Sequence, residues 1–157
     1  MKARPASPID PQDLVPYAIS GYPEPFAARV LPREKRELGD ASGLTKFGVN
    51  LTTLWPGAAS SMRHWHTRED ELVYVIEGEL VLVTDAGERV LRAGQCAGFP
   101  AGHRDAHQLL NRGTKPVIYL EIGNRDEDDT VYYPDVDLCW SAPESRGKYT
   151  HKDGTPY

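Results

Sequence analysis

The stretch RHWHTREDELVYVIEGEL, residues 63–80, decides how the rest of the chain is read. Its first half places His64 and His66 two positions apart, and its second half is a carboxylate, Glu71, at the head of an apolar run that ends at Gly78. Successive side chains along a strand point to opposite faces. His64 and His66 therefore share a face, about 6–7 Å apart along the strand, while Arg63 and Trp65 take the other. Two imidazoles on one face can converge on a single ion, and a chain that bends back through residues 67–70 brings Glu71 alongside them. Neutral imidazole suits zinc, copper, iron and nickel, and a carboxylate adds the charge that a divalent cation favours.

Such a site needs a third nitrogen. The chain has five histidines, at 64, 66, 103, 107 and 151. His151 falls in a tail without apolar periodicity. His103 lies in a loop after Pro100-Ala-Gly102, and His107 begins the short strand HQLLN.

Outward from this core the texture is consistently that of strands. KFGVNLTTLWPG, SSMRHWH, ELVYVIEG, GELVLVTD, ERVLRAG, HQLLN and PVIYLEIG read as strands separated by Pro/Gly turns, with a hairpin turn at DAGE, 85–88. QCAGFPAGHRDA, rich in Gly and Ala, reads as a loop. VYYPDVDLCW reads as one more strand broken by Pro134, and the remaining tail as irregular. About eight short strands with turn signals every 8–12 residues and almost no helix predict an antiparallel sandwich or barrel. Seven of the 13 prolines fall within residues 1–32, which predicts an extended arm with at most a helical turn over residues 10–15. The expected organisation is an arm over 1–45 packing on the barrel or on a partner subunit, a barrel over 46–140 and a tail over 141–157.

Composition narrows the function. The 157 residues suffice for one domain with a core. A net charge of −5 and a pI near 5.5 argue against a nucleic-acid partner. No run of about 18 apolar residues predicts a membrane span, and the N-terminal residues show no apolar secretory core. Cys96 and Cys139 form no CxxC and read as free thiols in a reducing cytoplasm.

Two motifs give the chain a family resemblance. Gly57, six residues, His64-x-His66, four residues, Glu71, six residues and Gly78 resemble the first cupin motif; Gly94, five residues, Pro100-x-Gly102, His107, three residues and Asn111 resemble the second. The usual gap after the glycine would land on Asp105, but the spacing to Asn111 favours His107 over His103 and Asp105. The chain as a whole is similar to small single-domain bacterial cupins of the sugar-phosphate-isomerase-like group, over about residues 46–123 and again near the C-terminus. The resemblance implies an all-β fold, a double-stranded β-helix or jelly roll, with the proline-rich arm and irregular tail as appendages. It also implies one divalent transition metal (Fe, Mn, Ni or Zn) held by His64, His66, Glu71 and His107.

The implied function is a metal-dependent enzyme acting on a small polar substrate, a sugar or a carbonyl or hydroxy acid, by isomerase- or dioxygenase-type chemistry. The alternative is a cupin that binds a ligand or metal without turnover. Isomerisation needs a general base, for which His103, Tyr119 and Glu121 are the candidates. Gly57, Gly78, Gly94 and Gly102 are expected to serve tight turns, Glu69 and Asp70 a solvated bend, and the acidic run DEDD at 126–129 a solvated loop rather than a second metal site. Trp65 and Tyr74 are expected to pack between sheets or at a dimer seam, and Arg104 and His103 to be surface charge, the alternative being that they reach an anionic substrate at the mouth. A homodimer is expected, because one small barrel leaves apolar strand faces uncovered.

Overall fold

In the computed structural model of the chain, which describes residues 7–141 and 148–157, the β-branched runs form twelve strands among the described residues. In chain order these are β1 (Arg33–Glu37), β2 (Phe47–Leu54), β3 (Trp65–His66), β4 (Glu71–Glu77), β5 (Glu79–Thr84), β6 (Gly87–Arg92), β7 (Cys96–Phe99), β8 (Gln108–Leu110), β9 (Val117–Asn124), β10 (Thr130–Tyr133), β11 (Leu138–Ser141) and β12 (Lys148–Thr150). They pair antiparallel in three sheets, ordered β1-β2-β9-β4-β7, β12-β11-β10-β3 and β6-β5-β8. The helical turn expected near residue 10 is a 3-10 turn at Pro11–Asp13, capped by the Asp10 side chain accepting from the Gln12 amide. A second 3-10 turn, Ala27–Val30, and a one-turn helix, Leu38–Ala41, interrupt the arm.

Alternation along the central strands builds the main core. Val73 and Val75 of β4, Leu80 and Leu82 of β5, Leu109 of β8, and Val117 and Tyr119 of β9 point inward with Leu54 and Ala58. A second apolar cluster joins the arm to the C-terminal strands: Phe26, Val30, Met62, Val131, Tyr133 and Leu138, with Tyr22, Trp140 and Tyr149 packed against it. Gly57, Gly78, Gly94 and Gly102 all adopt positive φ, between 74° and 85°. Gly78 shows why: it turns β4 into β5, and a Cβ there would stand 3.0 Å from Val117 Cγ2.

Several expectations are corrected by tertiary pairing. The Gly/Ala-rich stretch read as a loop supplies β7, because its backbone completes the edge of the five-stranded sheet against β4, with Glu71 opposite Phe99 and Tyr74 opposite Cys96. The strand SSMRHWH shrinks to Trp65–His66 with single bridges at Ala59 and His64. Upstream, Ser60 Oγ takes the Leu109 amide hydrogen and Gln108 donates to the Ser61 carbonyl, so side chains replace ladder bonds. VYYPDVDLCW is a hairpin, β10–β11, with Pro134 in its turn. The tail contributes β12. Arg33–Glu37, within the segment read as arm, is the edge strand beside β2. Residues 1–6 of the expected arm and 142–147 of the expected tail lie outside the described residues.

Candidate functional site

His64 and His107 face each other as a doubly bonded antiparallel pair: each backbone N–H donates to the other's carbonyl, at 3.1 and 2.8 Å. That bridge sets their rings side by side, centroids 4.5 Å apart. His66, two residues on, projects to the same face, its ring centroid 5.0 Å from that of His64. Trp65 points away and stacks on Tyr132. Glu71 enters from the start of β4, next to Gly123 of β9, where a Cβ would meet the Asp70 carbonyl at 3.0 Å.

The four side chains meet at one atom. Glu71 Oε2 lies 2.7 Å from His107 Nε2, 3.3 Å from His64 Nε2 and 3.4 Å from His66 Nε2. The opposite ring nitrogens are held from behind. His66 Nδ1 is 2.6 Å from Asp129 Oδ2, and His64 Nδ1 is 2.9 Å from the Met62 carbonyl, with Ser61 Oγ at 3.2 Å. Carboxylate and carbonyl oxygens only accept, so Nδ1 of both rings carries the hydrogen and, in the neutral imidazole, Nε2 presents a lone pair. His107 is fixed by packing instead, its ring lying flat on Phe99 at 3.6 Å and 5°.

Burial and charge oppose each other here. Burial by itself raises the Glu71 carboxyl, but His107 and His64 beside it and the charge of His64 and His66 outweigh this and hold it well below the usual range. Burial lowers His66, but the Asp129 contact and the charges of Glu71, Asp129 and Glu69 win and raise it. Burial prevails at His107, which is lowered despite Glu71.

These residues line a cavity of about 290 Å³ at the junction of the two apolar clusters, with Val73 and Leu109 from one and Tyr22, Val131 and Tyr133 from the other. Of the candidate bases, Glu121 lines the cavity, its Oε2 2.6 Å from Lys35 Nζ and its Oε1 accepting from the Tyr119 hydroxyl at 2.7 Å. Tyr119 is fully buried behind it. His103 is not brought to the site: it is exposed and borders a separate hollow with Phe99, Pro100 and Asp105. Asp105 accepts the Asp85 amide hydrogen and serves the loop. Arg104 lies over the outer face of Trp65.

Three parts of the site were not found from the sequence. Asp129 was assigned to a solvated acidic run, yet it is wholly buried and also takes hydrogen bonds from Thr67 Oγ1 and the Arg68 amide. Glu69, assigned to a solvated bend, lines the cavity and caps the Asp126 amide. Arg33 and Lys35 reach the cavity from β1, and their i, i+2 spacing in REKRE is a same-face signal that was available.

Residues 50–123 match the Cupin domain family, Cupin_2. A solved cupin-superfamily sugar phosphate isomerase from Silicibacter pomeroyi DSS-3 is 43% identical and superposes with a TM-score of 0.92 over 96% of each chain. A protein of Acidithiobacillus ferrooxidans ATCC 23270, provisionally given the same activity in its name, is 31% identical with a TM-score of 0.72 over 80% of each chain. The polyketide cyclase RemF from Streptomyces resistomycificus shares the fold at 18% identity, with a TM-score of 0.65 over 77% of this chain and 80% of its own. No protein of curated function matches the sequence. The all-β architecture is thus the expected cupin jelly roll, and the chain belongs to the cupin family as a small bacterial cupin.

Proposed function

We propose that His64, His66, Glu71 and His107 hold one divalent transition metal, and that the protein uses it on a small polar substrate. The observation that carries this reading is the meeting of two Nε2 lone pairs with an ionised, buried Glu71 oxygen that accepts no well-formed hydrogen bond. Such a convergence is satisfied by a cation between the ligand atoms, and in its absence by a proton on a ring nitrogen. The spacing fits for three of them: the ligand atoms of His64, His66 and Glu71 all lie within 4.8 Å of one another, and His107 Nε2 joins the group through Glu71 Oε2 at 2.7 Å. Three imidazoles and one carboxylate suit Fe, Mn, Ni or Zn.

When bound, such an ion polarises a carbonyl or hydroxyl oxygen, acidifies water or, as iron, activates dioxygen. The chain supplies the rest. Asp129 and the Met62 carbonyl hold two imidazoles in the tautomer that directs Nε2 inward. Glu121 lines the same cavity as an ionised carboxylate: burial raises its carboxyl, and Lys35 and Tyr119 overcome that and lower it. Of the three candidate bases it is the one whose carboxylate lines the cavity, so the base role is proposed for it; Tyr119 orients it, and the Lys35 contact that lowers its carboxyl makes it a weak base that gains strength only when that contact opens. His103, exposed beside another hollow, is not carried into this role. Isomerase-type chemistry agrees with the activity given to the Silicibacter relative; dioxygenase-type chemistry uses the same ligands.

The proposed setting is cytoplasmic, without nucleic acid or membrane. No helix among the described residues is long and apolar enough to cross a membrane. A homodimer is proposed because Leu72, Tyr74 and Ile76 of β4 and Phe47 of β2 expose an apolar face of the five-stranded sheet.

Elemental analysis tests the metal reading directly. Purified protein is expected to carry about one transition metal per chain, and His66→Ala and Glu71→Ala to stay soluble and lose it. Full metal content in both variants overturns the ligand assignment. Isomerase and oxygen-uptake assays on protein loaded with each metal then separate turnover from mere binding.

A further inference from the structure

Arg33 is 7% exposed, and it lines the cavity that holds the three histidines. Its Nη1 donates to the Ser60 carbonyl, and that is its one hydrogen bond among the described residues. No carboxylate among them lies within 4.0 Å of the guanidinium. Every other charged group of the lining is engaged. Lys35 and Glu121 neutralise each other at 2.6 Å, Glu69 caps the Asp126 amide, and Glu71 faces the histidines.

A buried guanidinium with no carboxylate in contact is costly, because the desolvation of the ion is not offset by a close ion pair. Arginine is also the side chain whose planar fork matches carboxylate and phosphate oxygens two at a time. Tyr22 and Tyr149 line the same cavity, and the Arg33 charge acts on both of them and on the Glu121 carboxylate, which Lys35 already holds. Arg33 comes from β1, outside residues 50–123 that match the family, in a part of the fold that the Silicibacter relative also covers.

We propose that Arg33 is the anion anchor of this cavity, and that the substrate is a compact molecule carrying a carboxylate or phosphate. The oxyanion sits on the Arg33 fork, and the substrate's hydroxyl or carbonyl oxygens face His64, His66 and His107. A cavity of about 290 Å³ is at the small end of ligand sites, which favours a short-chain acid or phosphate over an oligosaccharide. The inference rests on the metal reading for its orientation, and on Arg33 alone for its anion.

The test is titration calorimetry with inorganic phosphate and with glycolate, on protein as purified and after chelation, for wild type, Arg33→Met and Arg33→Gln. Gln can still donate to the Ser60 carbonyl and keeps the question decidable if the Met variant does not fold. Wild type is expected to bind at least one anion, and the neutral variants to bind it about tenfold or more weakly with metal content unchanged. Phosphate binding alone supports a phosphorylated substrate, and glycolate binding alone a carboxylic acid. The inference is overturned if neither anion binds wild type, or if a folded neutral variant keeps wild-type affinity. Anion binding by wild type that never carries metal, lost in the Arg33 variants, leaves the anchor standing and removes the metal reading. Metal-loaded protein whose anion affinity ignores Arg33 does the reverse.

Discussion

Asp129 Oδ2 lies 2.6 Å from His66 Nδ1, and the Asp129 side chain is completely shielded from solvent. The carboxylate is therefore an orienting partner for the imidazole rather than a surface charge. Asp129→Ala is expected to lower metal affinity about 10- to 100-fold, and Asp129→Asn, which keeps an accepting oxygen, by less. Competition against a chromogenic chelator measures both. Equal affinity in wild type and Asp129→Ala would remove this residue from the site.

Metal removal should be visible as lost stability. A ligand at 100 times its dissociation constant stabilises the native state by about 2.7 kcal/mol, about 5–10 °C in melting temperature for a chain of this length. Thermal melts with and without chelator are expected to differ by that order in wild type and to coincide in His64→Ala and His107→Ala.

The Lys35–Glu121 contact predicts a pH dependence of fixed sign. Glu121 has a folded-state pKa below 4.5, because Lys35 and Tyr119 outweigh the effect of burial. A lowered carboxylate contributes stability that is complete above the unfolded value and is lost as pH falls through the folded one. Urea titrations should therefore show wild type more stable than Glu121→Gln by about 1 kcal/mol, steady from neutral pH down to about 5 and shrinking below 4.5. A difference that grows on acidification would reverse the assignment.

Asn111 is a structural member of the second motif. Its side-chain amide donates to the Leu54 and Lys115 carbonyls at 2.8 Å each, and its Oδ1 accepts from the Gly113 amide. Asn111→Asp keeps the acceptor but removes both donors and buries a charge. Chemical denaturation is expected to show a loss of about 3 kcal/mol or more.

The exposed face of β4 supplies the test of self-association. Light scattering is expected to give a dimer for wild type and a monomer for Tyr74→Glu combined with Ile76→Glu, both folded by circular dichroism. A strictly monomeric wild type sinks the dimer.

Much of the barrel was legible because its strands carry local signals. The β-branched runs of β2, β4, β5 and β9 and the positive-φ glycines between them announce themselves within a few residues. The meeting of the candidate ligands was legible for the same reason: His64 and His66 share a face by strand alternation, and the spacing to Asn111 favoured His107. What was missed depends on contacts between distant segments. β7 is a strand because β4 is beside it, not because Cys-Ala-Gly-Phe favours one. Asp129 is buried because His66 and the Arg68 amide, some sixty positions earlier, close over it. The spacing to Asn111 favoured His107 over His103, and the backbone pairing of His107 with His64 is what carries it to the cavity while His103 stays exposed.

Strand β1 lies before the span that matches the family, yet it delivers Arg33 and Lys35 to the same hollow as the histidines. On the proposed reading, the metal ligands lie inside the span that matches the family and the anion anchor lies before it. Exchanging the segment before residue 50 would then change which anion the cavity takes while the four proposed ligands stay in place.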